Sequence, residues 1–171
     1  MAVSAGEWPR GPIPDSYWVR PGSLLAGEYP RTRDEATSLA KIDAILAAGV
    51  DAFVDLTTPE DGLAAYTALV GDRALRHPFP IPDLDVIDAD SMRLILDEVD
   101  TMLVDGRCVY VHCWGGVGRT GTVVGCHLVR HGLSGDEALA RIADLRAPTP
   151  DGKRPAPETE AQRRMVREWS G

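Results

Sequence analysis

The sequence predicts an α/β fold, with a mostly parallel central sheet flanked by helices. Three observations carry that expectation. Short apolar, β-favouring runs alternate with longer stretches of helical period. Turn and capping signals fall between them, at Pro21-Gly22, Gly49, Gly132 and the pair Ser134 and Glu137. One run, Val109-Tyr110-Val111-His112-Cys113-Trp114-Gly115-Gly116-Val117-Gly118-Arg119-Thr120-Gly121, passes from a buried strand through three glycines toward a helix.

In order, residues 1–16 are rich in Gly, Pro and small side chains and read as a loosely ordered arm. That leaves 17–171 as a single domain, the default for a chain of 171 residues. Residues 17–20 and 24–26 read as two short strands about Pro21-Gly22. Thr32 and Glu35 form a capping-box pattern that opens a helix, with Ala36, Leu39, Ala40, Ile45 and Leu46 as its apolar face and Gly49 as its stop. Residues 52–56 read as a buried strand, 57–62 as the loop at its carboxyl end, 63–70 as a short helix and 75–78 as another strand.

A proline-punctuated loop covers 78–85. Asp90 is placed to cap a long helix to Val104, with Met92, Ile95, Leu96, Val99, Met102 and Leu103 inward. After the glycine-rich run, Thr122 onward suits a mostly buried helix that Gly132 stops. Ser134 and Glu137 open the next helix, to about Leu145. A linker with four prolines at 148–157 precedes a last helix over about 159–169.

Strand, glycine-rich loop and helix N-terminus together make an anion cradle, since loop N–H groups can converge on one point and the helix dipole adds positive charge. Cys113 opens that loop and Arg119 closes it, with five residues between them. A guanidinium matches two phosphate oxygens and stays charged at any workable pH. The same positive surroundings favour thiolate over thiol at Cys113. A bound phosphate ester therefore meets a nucleophile at the bottom of its own cup.

Cys-x5-Arg-Thr, preceded by His112 and spelled Gly-Val-Gly-Arg-Thr-Gly at its end, resembles the signature loop of the cysteine-dependent protein tyrosine phosphatases. The chain is most similar to their compact, dual-specificity-like branch, because it is short and has no separate tyrosine-recognition segment. The resemblance implies hydrolysis of phosphotyrosine, and of phosphoserine or phosphothreonine, through a phosphocysteine. It also implies that Trp114, Gly115, Gly116, Val117, Gly118 and Arg119 bind the phosphate, that Thr120 hydrogen-bonds the sulfur, and that His112 supports the loop. Thr120 can equally cap the helix, and His112 can equally be a satisfied core histidine.

A leaving alkoxide or phenoxide needs a proton. In this family an aspartate about thirty residues before the cysteine supplies it, and Asp83 stands thirty residues upstream in Ile81-Pro82-Asp83, with Asp85 and Asp88 as rivals. Gln162 resembles the glutamine that orients the hydrolytic water, against the alternative of a solvent-facing helix residue. Glu60 is a candidate brace for Arg119. Trp114, bulky where relatives often carry a small residue, is expected at the pocket rim or packed behind it.

Composition narrows the partners. Net charge is −8 with a pI near 4.9, and acidic residues outnumber basic ones sixteen to five over 33–105, a poor match for nucleic acid or anionic membrane. No apolar run reaches membrane-spanning length, so a cytoplasmic protein is expected. Cys108, Cys113 and Cys126 form no zinc-ligand pairs, and His77, His127 and His131 lack metal-ligand partners at telling spacing. No metal or other cofactor is expected. Phosphoinositide phosphatases of the superfamily this chain resembles commonly place lysines in the loop, and none stands between Trp114 and Gly118, so the resemblance disfavours a phosphoinositide. An inositol phosphate or other small phosphate ester is the alternative substrate, and a non-catalytic phosphopeptide-binding module the alternative class.

Overall fold

Five short strands and six helices are laid down in chain order in the computed structural model, which describes residues 8–171. β1 (Ser16–Arg20) and β2 (Leu24–Gly27) pair antiparallel about a turn in which Gly22 takes φ 76°, a left-handed value that suits glycine. Then come α1 (Glu35–Ala47), β3 (Ala52–Asp55), α2 (Thr67–Val70), β4 (Leu75–Pro78) and α3 (Ala89–Val104). β5 (Val109–His112), α4 (Gly118–Arg130), α5 (Gly135–Arg146) and α6 (Glu160–Glu168) complete the chain. The strand order is β1-β2-β5-β3-β4, and every pairing after the first is parallel. The α/β expectation, a mostly parallel sheet flanked by helices, holds.

β5 is the middle strand and is buried throughout, as a parallel strand covered on both faces must be. Its alternate residues serve two cores. Val109 and Val111 pack with side chains of α3, α4, α5 and α6, including Leu96, Val123, Ile142 and Val166. Tyr110 packs on the opposite side with Phe53 of β3, Ile42 and Ile45 of α1, and Tyr66. Register places Gly27 and Asp55, the last residues of β2 and β3, on either side of His112. Three carboxyl ends therefore meet where α/β sheets bind ligands, and the chain leaves β5 directly into Cys113.

Several local expectations are corrected. Within the described part of the arm, residues 8–15 are not loose, for Ile13 is buried and Arg10 bridges Tyr17; residues 1–7 lie outside the described residues. Asp34, not a Thr32–Glu35 box, caps α1, accepting from the Thr37 N–H at 2.7 Å. The buried face of α1 is Ser38, Ile42 and Ile45, while Ala36, Leu39 and Ala40 face outward. Ser38 can point inward because its hydroxyl donates to the Asp34 carbonyl at 2.7 Å, so apolar spacing alone misplaced the stripe.

The expected helix over 63–70 shrinks to α2, because the Ala64 and Ala65 carbonyls accept from Tyr29 Oη and Arg31 Nη1 instead. Asp88, not Asp90, caps α3, through the Ser91 N–H at 2.8 Å; Asp90 falls in the first turn and pairs with Arg93. The expected inward side of α3 holds at Met92, Ile95, Leu96, Val99 and Met102. α4 begins at Gly118, earlier than Thr122. The Ser134–Glu137 capping box of α5 is present, and α6 is capped by a further such box, Thr159 with Gln162.

Candidate active site

The loop after β5 is built to present N–H groups. None of the backbone N–H groups of residues 114–119 donates to another group among the described residues, and Val117, at the N-cap of α4, makes no side-chain cap. Orphan donors at a helix start are an anion site in waiting. Gly116 is required twice over: its φ is 73°, and a Cβ there would lie 2.5 Å from the Gly27 backbone. The loop thus seats against the end of β2. The Trp114 carbonyl also accepts from the Tyr29 N–H at 2.8 Å.

A cavity of about 250 Å³ opens over this loop, lined by Asp83, Cys113, Trp114, Gly115, Val117, Gly118, Arg154 and Glu158. Cys113 is buried at its base, and Trp114, 55 % exposed, stands at the rim. A larger cavity, about 520 Å³, lies between the N-terminal segment and residues 145–150, but among the described residues no thiol or carboxylate lines it. Cys113 and Asp83 meet at the smaller one.

Arg119 is 1 % exposed, so its charge must be met by partners. Asp61 Oδ2 lies 2.8 Å from Nη1 and Asp61 Oδ1 3.2 Å from Nη2, while the Ile81 carbonyl accepts from Nη1 at 3.0 Å. Asp83 Oδ1 is 3.3 Å from Nη2. Burial alone would lower the Arg119 pKa; hydrogen bonding to Asp61 and the charges of Cys113, Asp61 and Asp83 raise it instead. For Asp61, burial opposes ionisation, yet the Arg119 and Thr58 hydrogen bonds outweigh it and hold the carboxyl below its ordinary range. The brace expected at Glu60 is therefore Asp61, and Glu60 is exposed. Thr58-Pro59 opens a single helical turn, Pro59–Asp61, that carries the third residue inward, a capping signal present in the sequence.

Of the three candidate acids, the fold brings Asp83 alone to the cavity. Asp85 accepts the Val86 N–H on its own Oδ1, and Asp88 is occupied as the cap of α3. Between Asp83 and Asp85, Leu84 takes φ 63°, a left-handed conformation that costs a non-glycine residue roughly 1–3 kcal/mol.

His112 is fully buried between two polar contacts. Nε2 lies 2.7 Å from Tyr66 Oη, and Nδ1 lies 3.2 Å from the Cys113 carbonyl. Burial pushes its pKa down, against the pull of Asp55 4.0 Å away. Asp55 itself accepts from Thr57 and pairs with Arg76. Tyr66 escaped the sequence reading, having no motif around it. Thr120 is buried with Oγ1 unpartnered among the described residues, so it neither caps α4 nor hydrogen-bonds the sulfur in this conformation; Thr122 returns to the Gly118 carbonyl instead.

Gln162 is buried, not solvent-facing. Its Oε1 accepts from the Glu158 and Thr159 N–H groups, both at 3.0 Å, and its Nε2 donates to the Asp85 carbonyl at 3.3 Å. It backs the loop, since a Cβ on Gly118 would lie 3.0 Å from Oε1, without lining the cavity. Cys108 and Cys126 are free and buried in opposite cores, with burial raising their thiols to about 11 and about 12.

Residues 14–170 match the family model described as "Swiss Army Knife protein, DSP-PTPase phosphatase domain". A phosphatidylinositol 3,4,5-trisphosphate 3-phosphatase and protein-tyrosine-phosphatase, PTEN1 of Arabidopsis thaliana, is 35 % identical over 94 residues, 54 % of this chain and 22 % of that one. Cyclin-dependent kinase inhibitor 3 of Rattus norvegicus is 35 % identical over 72 residues, 41 % of this chain and 34 % of that one. The matches thus span about a third or less of these curated relatives. The crystal structure of Tk-PTP in its active form superposes with a TM-score of 0.73 at 25 % identity, covering 91 % of this chain and 96 % of the other.

Proposed function

The chain belongs to the Swiss Army Knife DSP-PTPase phosphatase-domain family, and we propose from that premise that it hydrolyses phosphotyrosine, and phosphoserine or phosphothreonine, in phosphorylated proteins through a phosphocysteine. One observation carries the reading. The unspent N–H groups of residues 114–119 lie in a loop that opens on a buried cysteine and closes on a buried, charged arginine. That arrangement fits a phosphoryl group's equatorial oxygens, where such transfers gain most of their rate.

In the first half-reaction the Cys113 thiolate forms an S–P bond as the P–O bond to the leaving group breaks, and Asp83 gives that oxygen its proton. The phosphate takes Arg119 Nη2, now shared with Asp83 at 3.3 Å, and so releases the acid for its task. In the second half Asp83, as carboxylate, takes a proton from water while the water oxygen attacks phosphorus and the S–P bond breaks. Thr120 Oγ1, a buried hydroxyl without a partner among the described residues, is the donor available to the departing thiolate. His112 holds the Cys113 carbonyl and hence the loop, and Gln162 braces the loop from behind.

An inositol phosphate or another small phosphate ester is the second reading. Arg154 at the cavity wall favours it, a cation beyond the loop that a second phosphate would have to share with Asp151 and Glu158, which pair with it at 3.1 and 2.8 Å. Among the described residues no helix is long and apolar enough to cross a membrane, and we place the protein's substrates in the cytoplasm.

The test is phosphate release from an activated aryl phosphate in chelator, wild type beside Cys113→Ser, then phosphopeptides against inositol phosphates. Turnover lost in Cys113→Ser supports the enzyme reading, and preference for phosphopeptides supports the substrate. A reduced wild type that binds phosphopeptide without turnover sinks the enzyme reading and leaves a binding module.

A further inference from the structure

The far end of α4 carries a second cluster with its own chemistry. Sequence spacing leaves His127 and His131 without an acidic companion, but α3 packs alongside and supplies Asp100. Asp100 Oδ1 lies 2.9 Å from His131 Nε2 and 3.6 Å from His127 Nδ1. The two rings, one helical turn apart, have centroids 4.4 Å apart. All three donor atoms fall within 4.8 Å of one another, and ligands on a tetrahedral zinc ion lie about 3.3 Å apart.

His127 makes the cluster more than a surface hydrogen bond. Its side chain is 4 % exposed, and its Nδ1 has no hydrogen-bond partner among the described residues. The atom faces a carboxylate oxygen at a distance too long for a hydrogen bond. As a lone pair it is repelled by that oxygen, and as an N–H it is wasted. A cation between them satisfies both groups.

We propose that Asp100 Oδ1, His127 Nδ1 and His131 Nε2 bind a divalent transition-metal ion of the zinc class. His131 is 42 % exposed, so a fourth position opens to water. Asp100 Oδ2 accepts from Arg130 Nη1 at 3.2 Å, which fixes the carboxylate's orientation from outside the ligand set. The charge of Arg130 works against a metal, but Asp97 answers it at 2.7 Å, and the C-terminal end of α4 adds partial negative charge. From Gly118 to His127 the helix rises about 14 Å, so the site is separate from Cys113. Its bound ion clamps α3 to α4 and takes no part in the phosphoryl steps.

The chain, stripped with chelator, is titrated with Co²⁺ and followed by visible absorption, then displaced with Zn²⁺. The titration is repeated in Cys113→Ser, so that the reactive thiol does not compete. One equivalent bound without thiolate charge-transfer bands, retained in Cys113→Ser, is the expected result. Affinity falls at least about tenfold in His131→Ala and in Asp100→Asn, and Zn²⁺ raises Tm in the parent and in Cys113→Ser but not in those two variants. His131 is exposed enough for its removal to leave the fold intact, which circular dichroism checks. Binding that disappears in Cys113→Ser, or that is unchanged in His131→Ala or Asp100→Asn, overturns the site.

Discussion

Asp61 and Arg119, 58 residues apart in sequence, meet in a two-point ion pair at 2.8 and 3.2 Å. A carboxylate and a guanidinium in parallel register fix orientation as well as charge. Arg119 therefore stands in one pose before any substrate arrives, held from the β3 side of the sheet.

Removing that hold has two expected effects. Breaking a buried pair strands the other charge, at about 3–5 kcal/mol. Asp83 and the Ile81 carbonyl remain as partners, so the lower end applies: Asp61→Ala loses about 3 kcal/mol in denaturant melts. Its kcat/KM falls more than about tenfold, while Glu60→Ala changes neither quantity. A fully active Asp61→Ala enzyme would show that Arg119 needs no positioning.

Asp83 divides its carboxylate between Arg119 and the cavity. As general acid it matters in proportion to how badly the leaving group needs a proton. Asp83→Asn is expected to cost about 10²–10³ in kcat with an alkyl phosphate and much less with a nitrophenyl phosphate. Asp85→Asn is expected to leave both rates near wild type, because Asp85 lies off the cavity. Equal losses on the two substrates in Asp83→Asn would reassign the acid.

The parts of this site legible in the sequence are the local ones. Strand, glycines, Cys113 and Arg119 lie within one short run, and their spacing alone implies the cradle. The hairpin, β4, the inward side of α3 and the Ser134–Glu137 cap were likewise legible, because periodicity and capping are local signals. Long-range partners were not. Asp61, Tyr66 and Asp100 act across 58, 46 and about 30 residues, through register and helix packing that no spacing rule encodes. The α1 stripe held at Ile45 and Leu46 but not at Ala36, Leu39 and Ala40, for a related reason. Ser38 is polar in type but satisfied locally, and hydrophobicity counts only type.

Neutral His112 makes stability depend on pH. Its folded pKa lies below the ordinary imidazole value of about 6.5 because burial penalises the charged ring. The unfolded chain therefore binds the extra proton first, so the contribution is complete above about pH 6.5 and is lost as pH falls toward the depressed folded value. Urea melts in chelator should show unfolding free energy declining from pH 7 to pH 5, with a shallower slope in His112→Asn. Tyr66→Phe removes the 2.7 Å partner of Nε2 and should cost about 1–2 kcal/mol at pH 7. A slope unchanged in His112→Asn would assign the dependence to other groups, buried His127 first among them.

Gln162 separates two roles that a fall in activity alone cannot. Its amide oxygen closes the cap of α6 on two N–H groups, and its amide nitrogen ties the cap to Asp85, two residues from the acid. Gln162→Ala opens that cap and loosens the Asp83 loop together, so about 2 kcal/mol of stability and part of kcat should go. If the residue acts as this brace, both chemical steps slow together, and rapid mixing shows a burst of leaving group no larger than the wild type's. If it oriented the attacking water, only hydrolysis of the phosphocysteine would slow, and a burst near one equivalent of enzyme would precede steady turnover. Gly118 lines the cavity and Gln162 lies against Gly118 without lining it, which favours the brace. The expected trace therefore keeps the wild-type burst amplitude at a lower rate, with the Gln162→Glu variant recovering the cap's share of the lost stability, because its carboxylate still accepts both cap N–H groups, but not the tie to the Asp85 carbonyl.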